Sequence, residues 1–564
     1  MRHMASLSRH AAALAIALVL PLPAWAQEVT PAPPVIDTII INRSDVFPDS
    51  IAATSGVFRL MNTLHPVTRP GVIKNMLLFK QGQPFDSALV SQTERILRDL
   101  QIFSELHIDT ATVDDKFAVI VNTRDGWSFK PKIKFAVASD GTVTATLGIL
   151  EINLAGTAIL AQAYWVKEVN RNGADLALQW NRIYRRITAG FKAQLLSDGN
   201  NGSWQAGAPF YSSIDRLGGM YTGFAADRRV LQFVSTNERG TDSIEWEQDA
   251  LINDFTLAMA TRRHPQGYLR FGAVGELRQE KFILRGDSTT DIPDTVSSYV
   301  GGVFELREDR FRRIRMFNGF GTEDVDVSRA LSVTVNLAPE IFGYPSTGVG
   351  VALIASGAIP LSLGRVSFLH AQLNANGLFG SQWYNAAGLD SGRVVLQTTL
   401  GVKISQRHAT VLHLEGGMQE NPKPGTQFEL GFTTPPRLFP AFSFVGTREL
   451  WGMFEHRWFA IDNLLNLVGI GFAAFLDVGG AWYAESDGVA PDQQARFGGN
   501  VGLGIRLGSV LSTIPNTGRL DIGYQFGDGV VGNGWAISFG SGFVFPKRVK
   551  LRTDRQPIVT ATGT

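Results

Sequence analysis

Residues 519–526 read RLDIGYQF, and in this stretch apolar side chains alternate with charged, polar or small ones. Residues 501–508, VGLGIRLG, and residues 535–545, WAISFGSGFVF, repeat the pattern. Successive side chains of a β-strand point to opposite faces, so each stretch predicts a strand with one apolar face. One such strand suits a soluble sandwich as well as a membrane barrel. The choice therefore depends on how far the pattern extends.

The alternation runs from Phe129 to Phe545, over about 415 residues with polar loops between the strands. At roughly 25 residues for a strand and its share of the turns, that length predicts about 16 strands. In a closed barrel the apolar faces contact lipid and the polar faces line a lumen. We therefore predict a mainly β chain with a 16-stranded antiparallel transmembrane β-barrel over residues 129–545. A porin or a soluble all-β array would give similar arithmetic.

The composition restricts the function classes. The 564 residues include 52 Lys+Arg against 51 Asp+Glu, and no Cys. A nucleic-acid-binding surface needs clustered basic residues, so this balance predicts no nucleic-acid partner. Without Cys there are no disulfides and no thiolate metal ligands. The sequence has no GxSxG, HExxH or P-loop motif, so we predict no enzyme, no cofactor and no metal site.

Residues 1–26 have the composition of an export signal. Arg2 and Arg9 precede an apolar stretch at residues 11–22, and residues 24–26, AWA, form a small-x-small cleavage pattern. This arrangement predicts a secretory signal peptide, with a buried N-terminal helix as the alternative. No later apolar stretch reaches the roughly 18 residues of a membrane helix. Together with the Phe-ended last strand, these features predict a location in the bacterial outer membrane.

Residues 35–125 predict a small domain of order β-α-α-β-β. Strands are expected at residues 35–41, 106–109 and 117–121, one helix begins at Pro70, and another follows Asp86 as its N-cap. Residues 78–86, LFKQGQPFD, and 95–103, RILRDLQIF, resemble the signature of a polypeptide-transport-associated (POTRA) domain. The resemblance implies an edge strand that accepts an extended client in the periplasm. Any other small αβ domain remains the alternative.

Four segments of the predicted barrel resemble the surface-antigen barrel of the BamA/TamA family. They are residues 151–156 (EINLAG), 437–448 (RLFP followed by FVGTR), 455–457 (EHR) and 475–479 (FLDVG). The resemblance implies that a long extracellular loop folds back into the lumen, where its arginine meets an inward acid. The implied loop motif comprises Arg437, Phe439, Pro440, Gly446 and Arg448, and the implied lumen partners are Glu455, Arg457, Asp477 and Gly479.

Side-chain parity supports the same partners. If Leu476 and Val478 contact lipid, Asp477 points inward, and if Phe454 and Trp458 contact lipid, Glu455 and Arg457 point inward. A planar guanidinium suits a bidentate carboxylate, so we hypothesise that Arg437 pairs with Asp477 and locks the loop. The alternative is that both residues line a solvated channel.

The sequence departs from the family pattern in two places. Leu438 stands where the family has glycine, which puts a positive φ there in doubt. The chain also continues beyond Phe545 as a basic tail, residues 546–564, which we expect to be a loose terminus.

The last strand, residues 535–545, is expected to pair with the first, residues 132–137, at a seam. Pro131 cannot donate to the ladder, and glycines weaken the last strand. The seam residues are Ile133, Phe135, Trp535, Gly540, Gly542 and Phe545. A weak seam predicts sideways opening to a client strand, and hence protein insertion or translocation.

The expected partners are outer-membrane lipids, unfolded β-barrel or exported client polypeptides, and periplasmic accessory proteins at the POTRA-like domain. The alternative is a passive outer-membrane channel or surface-exposed barrel without assembly activity. A secretion pore for one partner is less favoured, because such pores usually carry two POTRA domains and a plug helix.

Overall fold

The structure, a computed structural model, describes residues 33–54, 56–137, 143–181, 186–237, 240–285, 291–296, 298–382, 388–432, 434–464, 468–484, 497–509, 517–528, 534–554 and 558. The predicted signal peptide, residues 1–26, lies outside the described residues. None of the helices within these ranges is long and apolar enough to cross a membrane.

The N-terminal domain is a three-stranded sheet covered by helices. Its elements are β1 (Thr38–Ser44), α1 (Asp49–Ala52), α2 (Gly56–Leu64), α3 (Pro70–Met76), α4 (Ser87–Arg98), β2 (Phe103–Val113) and β3 (Lys116–Asp125). The sheet order is β1-β3-β2, with β1 parallel and β2 antiparallel to β3, so β2 is an edge strand. The two predicted helices correspond to α3 and α4, whereas α1 and α2 were not predicted.

The cap of α4 illustrates how the sequence sets these boundaries. The Asp86 carboxylate accepts hydrogen bonds from the backbone N–H groups of Ala88 (2.8 Å) and Leu89 (3.4 Å). These N–H groups have no partner within the helix, so an acidic side chain placed just before them fixes where the helix begins. Leu97, on the opposite end of the helix, is fully buried in the domain core.

The remaining strands follow in chain order. They are β4 (Phe129–Val137), β5 (Val143–Glu151), β6 (Ile159–Lys167), β7 (Asn172–Trp180), β8 (Thr188–Leu196), β9 (Gly199–Ala208), β10 (Leu217–Asn237), β11 (Gly240–His264), β12 (Gly267–Leu284), β13 (Asp291–Val296), β14 (Tyr299–Glu308), β15 (Phe311–Arg315), β16 (Thr322–Asp326), β17 (Arg329–Ala338), β18 (Gly348–Leu361), β19 (Val366–Phe379), β20 (Leu389–Lys403), β21 (His408–Glu420), β22 (Phe428–Leu430), β23 (Phe444–Gly446), β24 (Arg448–Leu464), β25 (Val468–Trp482), β26 (Gly498–Ser509), β27 (Gly518–Gly527) and β28 (Gly534–Ser541).

All of these except two hairpins, β15–β16 and β22–β23, form one closed antiparallel barrel in which β28 pairs with β4. The mainly β barrel fold is therefore confirmed. The predicted number of strands is wrong. The described residues contribute 21 strand segments to the barrel, and two of them, β13 and β14, both pair with β12 and form one interrupted strand. The barrel therefore has 20 strands instead of 16. The estimate failed because β4–β9 are only 9 or 10 residues long and use less chain than assumed.

The two faces of the wall differ as the alternation predicts. On β24 and β25, Phe454, Trp458, Leu476 and Val478 are exposed on the outside, whereas Glu455, Arg457 and Asp477 are buried on the inside. Such an exterior would aggregate in water but is stable in contact with lipid. The interior keeps its charged groups away from lipid by pairing them with one another.

Three further segments occupy the lumen. We call the end that carries the N-terminal domain the proximal end and the opposite end the distal end. The loop of residues 421–447, containing β22–β23, enters from the distal end. The hairpin β15–β16 and the chain after β28 enter from the proximal end. The expectation of a loose C-terminal tail is therefore wrong for residues 546–554, while residues 555–557 and 559–564 lie outside the described residues. The tail is held because Val549, Leu551 and Thr553 are buried against the wall.

The N-terminal domain is attached to the barrel through the turn after β5. The backbone N–H of Arg69 donates to the Gly156 carbonyl (2.9 Å), and the Asn153 amide donates to Thr68 Oγ1 (2.8 Å). Gly156 has a φ of +71°, and an added Cβ would lie 2.7 Å from the carbonyl oxygen of Val67. This glycine therefore permits the close approach of the two units.

We predict that Gly156→Ala loosens the N-terminal domain from the barrel. The left-handed backbone alone costs an alanine roughly 1–2 kcal/mol, and the contact with Val67 adds to that cost. Spin-label distances between the domain and the barrel should broaden, while the barrel stays folded. Gly71→Ala is the matched control, because its Cβ meets nothing within 4 Å. Equal distance distributions in the two variants would contradict this role for Gly156.

Candidate functional site

The loop of residues 421–447 enters the lumen because it is apolar. Phe428 and Phe444 at the start of β22 and β23 are buried, and Phe439 lies beside Phe444 with ring centroids 5.2 Å apart. Gly498 on β26 makes room for Phe439 and Phe444, since a Cβ at position 498 would lie within 2.7 Å of both rings. Burying these rings removes a large apolar area from water and offsets the cost of ordering a long loop.

Arg437 is the centre of the loop's contacts with the wall and has no exposed surface. Its Nε and Nη2 donate to the two oxygens of Asp477 at 2.7 and 2.9 Å, and its backbone N–H donates to the same carboxylate at 3.1 Å. The predicted pairing of Arg437 with Asp477 is therefore present and bidentate. The guanidinium also lies over the ring of Phe475, 4.2 Å from its centroid, which adds a cation–π contact.

Two further carboxylates complete the surroundings of Arg437. Its Nη1 donates to Glu455 at 2.5 Å and approaches Asp521 at 3.5 Å. Three more arginines contact these acids, so the site is a continuous network of four guanidinium groups and three carboxylates. We call it the lumen cluster; its members are Arg437, Glu455, Arg457, Asp477, Arg506, Arg519 and Asp521.

The lumen cluster is buried and mutually paired. Arg506 bridges Glu455 (2.9 Å) and Asp521 (2.5 Å). Arg519 donates to Asp521 (2.7 Å) and to the carbonyl of Phe432 in the loop (3.1 Å). In a dry site each charge is stabilised only by its partners, so removing one partner costs far more than at a surface. The cluster therefore holds the loop at one position on β24, β25 and β27.

Arg457 also connects the lumen cluster to the two segments that enter from the proximal end, the hairpin β15–β16 and the chain after β28. Its Nε binds Glu455 at 2.7 Å, and its Nη1 donates to the Phe317 carbonyl and to Asn318 Oδ1, both at 3.0 Å, in the hairpin β15–β16. Its Nη2 donates to the carbonyl of Phe543, just after β28, at 2.8 Å. The Arg457 side chain thus connects three groups: Glu455, which binds the distal loop, the tip of the hairpin, and the chain just after β28.

The hairpin is shaped to reach this position. Glu323 accepts backbone hydrogen bonds from Asn318 (2.6 Å) and Gly319 (3.0 Å) and so closes the tip. Phe320 packs edge-on against Phe459 (5.2 Å) and occupies the space left by Gly469 on β25. The inner face of the barrel is therefore shaped to fit the tip of the hairpin.

The hairpin and the tail also contact α4 of the N-terminal domain. Arg98 binds Asp324 at 2.8 Å, and Arg95 lies 4.6 Å from the ring centroid of Phe311. Arg548 in the tail binds Asp99 at 2.5 Å, and this carboxylate raises the pKa of the Arg548 guanidinium. The N-terminal domain is thus connected to the lumen contents as well as to the wall.

The other predicted motif residues serve packing and rim contacts. Phe439 and Pro440 lie inside with the loop, Gly446 abuts the Trp482 backbone, where a Cβ would lie 2.1 Å away, and Gly479 leaves room for Trp451. Arg448 does not join the cluster: it starts β24 and binds Glu420 (3.3 Å) at the end of β21. Leu438 has no positive φ and packs with Phe475 and Ala536. Position 438 therefore does not need the positive φ that a glycine would allow.

The sequence prediction missed Arg506, Arg519 and Asp521. A signal was present: each is a charged residue on the inward side of a strand that otherwise alternates apolar with small residues. Charged side chains at inward positions of neighbouring strands are expected to pair. Asn318 carried no such signal, because it lies in a hairpin that the alternation does not predict.

The seam residues take two different positions. Ile133 and Phe135 on β4 and Trp535 on β28 are exposed on the outside, with 68% of Ile133 and 75% of Trp535 accessible. The predicted last strand is shorter than expected, since β28 ends at Ser541 and Phe545 lies inside the lumen. Phe545 stacks on His413 at 4.1 Å instead of ending the seam. The glycines at 540 and 542 allow this inward turn.

A cavity of about 2120 Å³ opens at the proximal end. It is lined by Ser104 and His107 on β2, by Lys132 on β4, and by Gly540 near the end of β28. The tail residues Lys547 and Asp554 form another side. The edge strand of the N-terminal domain, the seam and the tail therefore face one shared space.

No protein-family model and no curated protein matches the chain. Among solved structures, CdiB from Escherichia coli is similar at 10% identity and a TM-score of 0.45, over 95% of this chain and 97% of that chain. BamA from Haemophilus ducreyi lacking POTRA domains 1–3 is similar at 10% identity and a TM-score of 0.39, over 89% and 84%. The alcaligin outer membrane receptor FauA from Bordetella pertussis gives 11% and 0.34, over 78% and 75%. At these identities the likeness concerns the fold alone.

We predict that Asp477→Asn releases the loop from the lumen cluster. The substitution keeps the side-chain volume but removes the charge that Arg437 contacts through three donors. Breaking a buried pair in this way costs about 3–5 kcal/mol. Amide hydrogen exchange of residues 421–447 should accelerate while exchange in the barrel strands stays unchanged. Asp528→Asn, an exposed carboxylate on the distal side, is the control. Unchanged loop exchange in Asp477→Asn would show that the loop is held by its apolar residues alone.

Proposed function

We propose that the chain is a bacterial outer-membrane barrel that inserts or translocates client polypeptides, with the N-terminal domain in the periplasm. The observation that carries the proposal is the seam. β28 has 8 residues and β4 has 9, and their contacts are sparser than those between any other adjacent barrel strands in the described residues. A short and sparsely joined pair is the place where a closed barrel opens at least cost.

The lengths of the strands beside the seam also favour opening at the seam. The strands β4–β9 on one side of the seam have 9 or 10 residues, whereas β10, β11 and β12 have 21, 25 and 18. Strands of 9 residues are at the lower limit for crossing a bilayer. A low wall is accommodated by thinning the adjacent lipid, which eases the entry of a new strand beside it.

The N-terminal domain supports delivery of an extended client. Among the described residues, its edge strand β2 has a strand partner on one side only, and the same cavity borders β2 and the seam strand β4. An extended polypeptide can add to such an edge by backbone hydrogen bonds and pass to a second edge without losing its conformation. We therefore assign binding and transfer to this chain and no catalytic step.

A passive channel is the second candidate and is less well supported. The lumen holds the distal loop, the hairpin and the chain after β28, and all three contact the lumen cluster. An open diffusion pore needs a continuous aqueous path, and these segments obstruct one. Steady conductance of the unmodified protein at the level of an open pore would favour the channel.

The decisive test is a disulfide across the seam. The chain has no Cys, so a pair introduced as Ile133→Cys in β4 with Ile537→Cys or Phe539→Cys in β28 forms the sole crosslink. We expect the crosslinked protein in liposomes to lose insertion of an unfolded outer-membrane barrel client, and a reductant to restore it. The control pair, Ile522→Cys with Ile537→Cys, joins opposite residues of β27 and β28 and should leave insertion intact. Full activity of the crosslinked seam would refute lateral opening.

A further inference from the structure

The tail crosses the proximal mouth of the lumen from the seam to the opposite wall. After β28 it passes Phe545, which stacks on His413 of β21, and Arg548, which binds Asp99 of α4. It then reaches β11, β12 and β14 through residues 549–554, and the backbone N–H of Ile558 donates to Gln179 on β7 at 3.1 Å. Residues 549–554 thus lie on the side of the barrel away from β28, whereas Ile558 lies at β7, four strands from β28 in the barrel order.

A pocket in that wall binds the acidic end of the segment. Arg270, which is 1% exposed, donates through Nη1 to Thr553 Oγ1 (2.9 Å) and to the Asp554 carboxylate (3.0 Å). Tyr268 donates its hydroxyl to the same carboxylate at 3.0 Å. The guanidinium is held between the rings of Tyr268 and Phe210, with centroids at 3.3 and 3.7 Å. A rigid, desolvated arginine of this kind suits a carboxylate ligand.

The neighbouring strand recognises the hydroxyl and the backbone. The buried Glu305 accepts from the Thr553 hydroxyl and from its backbone N–H, the latter at 3.0 Å. Arg307, also buried, donates to the Val549 carbonyl at 2.8 Å. Acceptance of the hydroxyl proton by Glu305 requires Ser or Thr at this position, since an apolar side chain would leave a buried carboxylate without that donor.

The side chains of the bound segment alternate as in a strand, but its end is a turn: the backbone N–H of Asp554 donates to the Leu551 carbonyl at 3.1 Å. Val549, Leu551 and Thr553 are buried against the wall, and the basic residues Arg548, Lys550 and Arg552 alternate with them. Arg552 reaches Asp254 and the Tyr299 hydroxyl on the inward wall. Among the described tail residues, one backbone bridge joins the tail to the wall, between Asp554 and Phe210. Side chains therefore supply most of the attachment.

We propose that this pocket, formed by Phe210, Tyr268, Arg270, Glu305 and Arg307, is a peptide-binding site for a segment of alternating apolar and basic residues that ends in a turn containing Ser/Thr-Asp. The chain's own tail occupies it in cis as a displaceable plug. The site deepens the proposed function, on which its client role rests: an incoming polypeptide of the same chemistry displaces the tail and opens the proximal mouth. Because the tail is held mainly by side-chain contacts, a competing segment can replace them one for one.

The test uses protein that ends at Phe545, reconstituted in liposomes and planar bilayers. Its folded barrel is verified by heat-modifiable migration on a gel. We expect higher conductance than in the full chain, and a labelled synthetic peptide of residues 546–564 should bind and lower it again. The same peptide with Asp554→Asn or Thr553→Val should bind about ten-fold more weakly or worse, because each loses a charge-assisted hydrogen bond. A scrambled peptide is the control.

A second measurement covers the case in which the shortened chain does not fold. The full chain carrying Asp554→Asn and Thr553→Val should show higher conductance and faster proteolysis of its tail than the unmodified chain. Peptide binding equal for the native, substituted and scrambled sequences, or unchanged conductance and proteolysis in the full-chain variant, would overturn the site. Peptide binding does not involve client insertion, so specific binding without any insertion activity would refute the proposed function and leave the peptide site standing.

Discussion

A guanidinium buried in the middle of the barrel needs a partner for its charge and for each of its donors, and Arg437 finds them on three strands. Asp477, Glu455 and Asp521 project from β25, β24 and β27, which brings their carboxylates to one point only when these strands have their observed register. Since a one-residue slip would turn each carboxylate outward to lipid, the cluster and the register fix each other. The loop position follows from the same contacts.

The lumen cluster also determines how the barrel is filled. Arg457 shares Glu455 with Arg437, and its remaining donors bind Asn318 and the Phe317 carbonyl in the hairpin and the Phe543 carbonyl after β28. Segments from both ends of the barrel thus form hydrogen bonds with one shared set of buried polar groups. A buried donor left without a partner is costly, so each segment stabilises the positions of the others.

The sequence allowed part of this to be predicted. The lipid boundary imposes a period of two on every strand, so the inward positions of Glu455, Arg457 and Asp477 can be read from their apolar neighbours. The strand number cannot, because the alternation does not show how short β4–β9 are. Helix α1 has four residues, which is too short to show an apolar repeat. Helix α2 does show one, at Val57, Leu60, Met61 and Leu64, and this repeat was overlooked.

The position of the tail could not be predicted from the sequence, for a different reason. Its basic residues resemble a solvated terminus, and the partners that hold it, Arg270, Glu305 and Asp254, lie hundreds of positions earlier in the chain. No local pattern joins residues so far apart, and a buried charge pair becomes visible only when the fold is closed. The same holds for Asn318, whose contacts with Phe545 and Arg457 connect the hairpin to the chain after β28 and to the wall.

These connections imply an order of events during opening. The tail and β28 are one continuous chain, and Phe543 and Phe545 between them contact Arg457, His413 and Asn318. Releasing the tail from the opposite wall frees residues 543–545 to move, which withdraws a hydrogen-bond partner from Arg457 and so weakens the position of the hairpin. Within the described residues, the proximal end of β28 then keeps its contacts with β27, through Arg519 and Thr517. Under the proposed function, release of the tail therefore precedes separation of β28 from β4, and the pocket on the far wall acts on the seam through the chain that joins them.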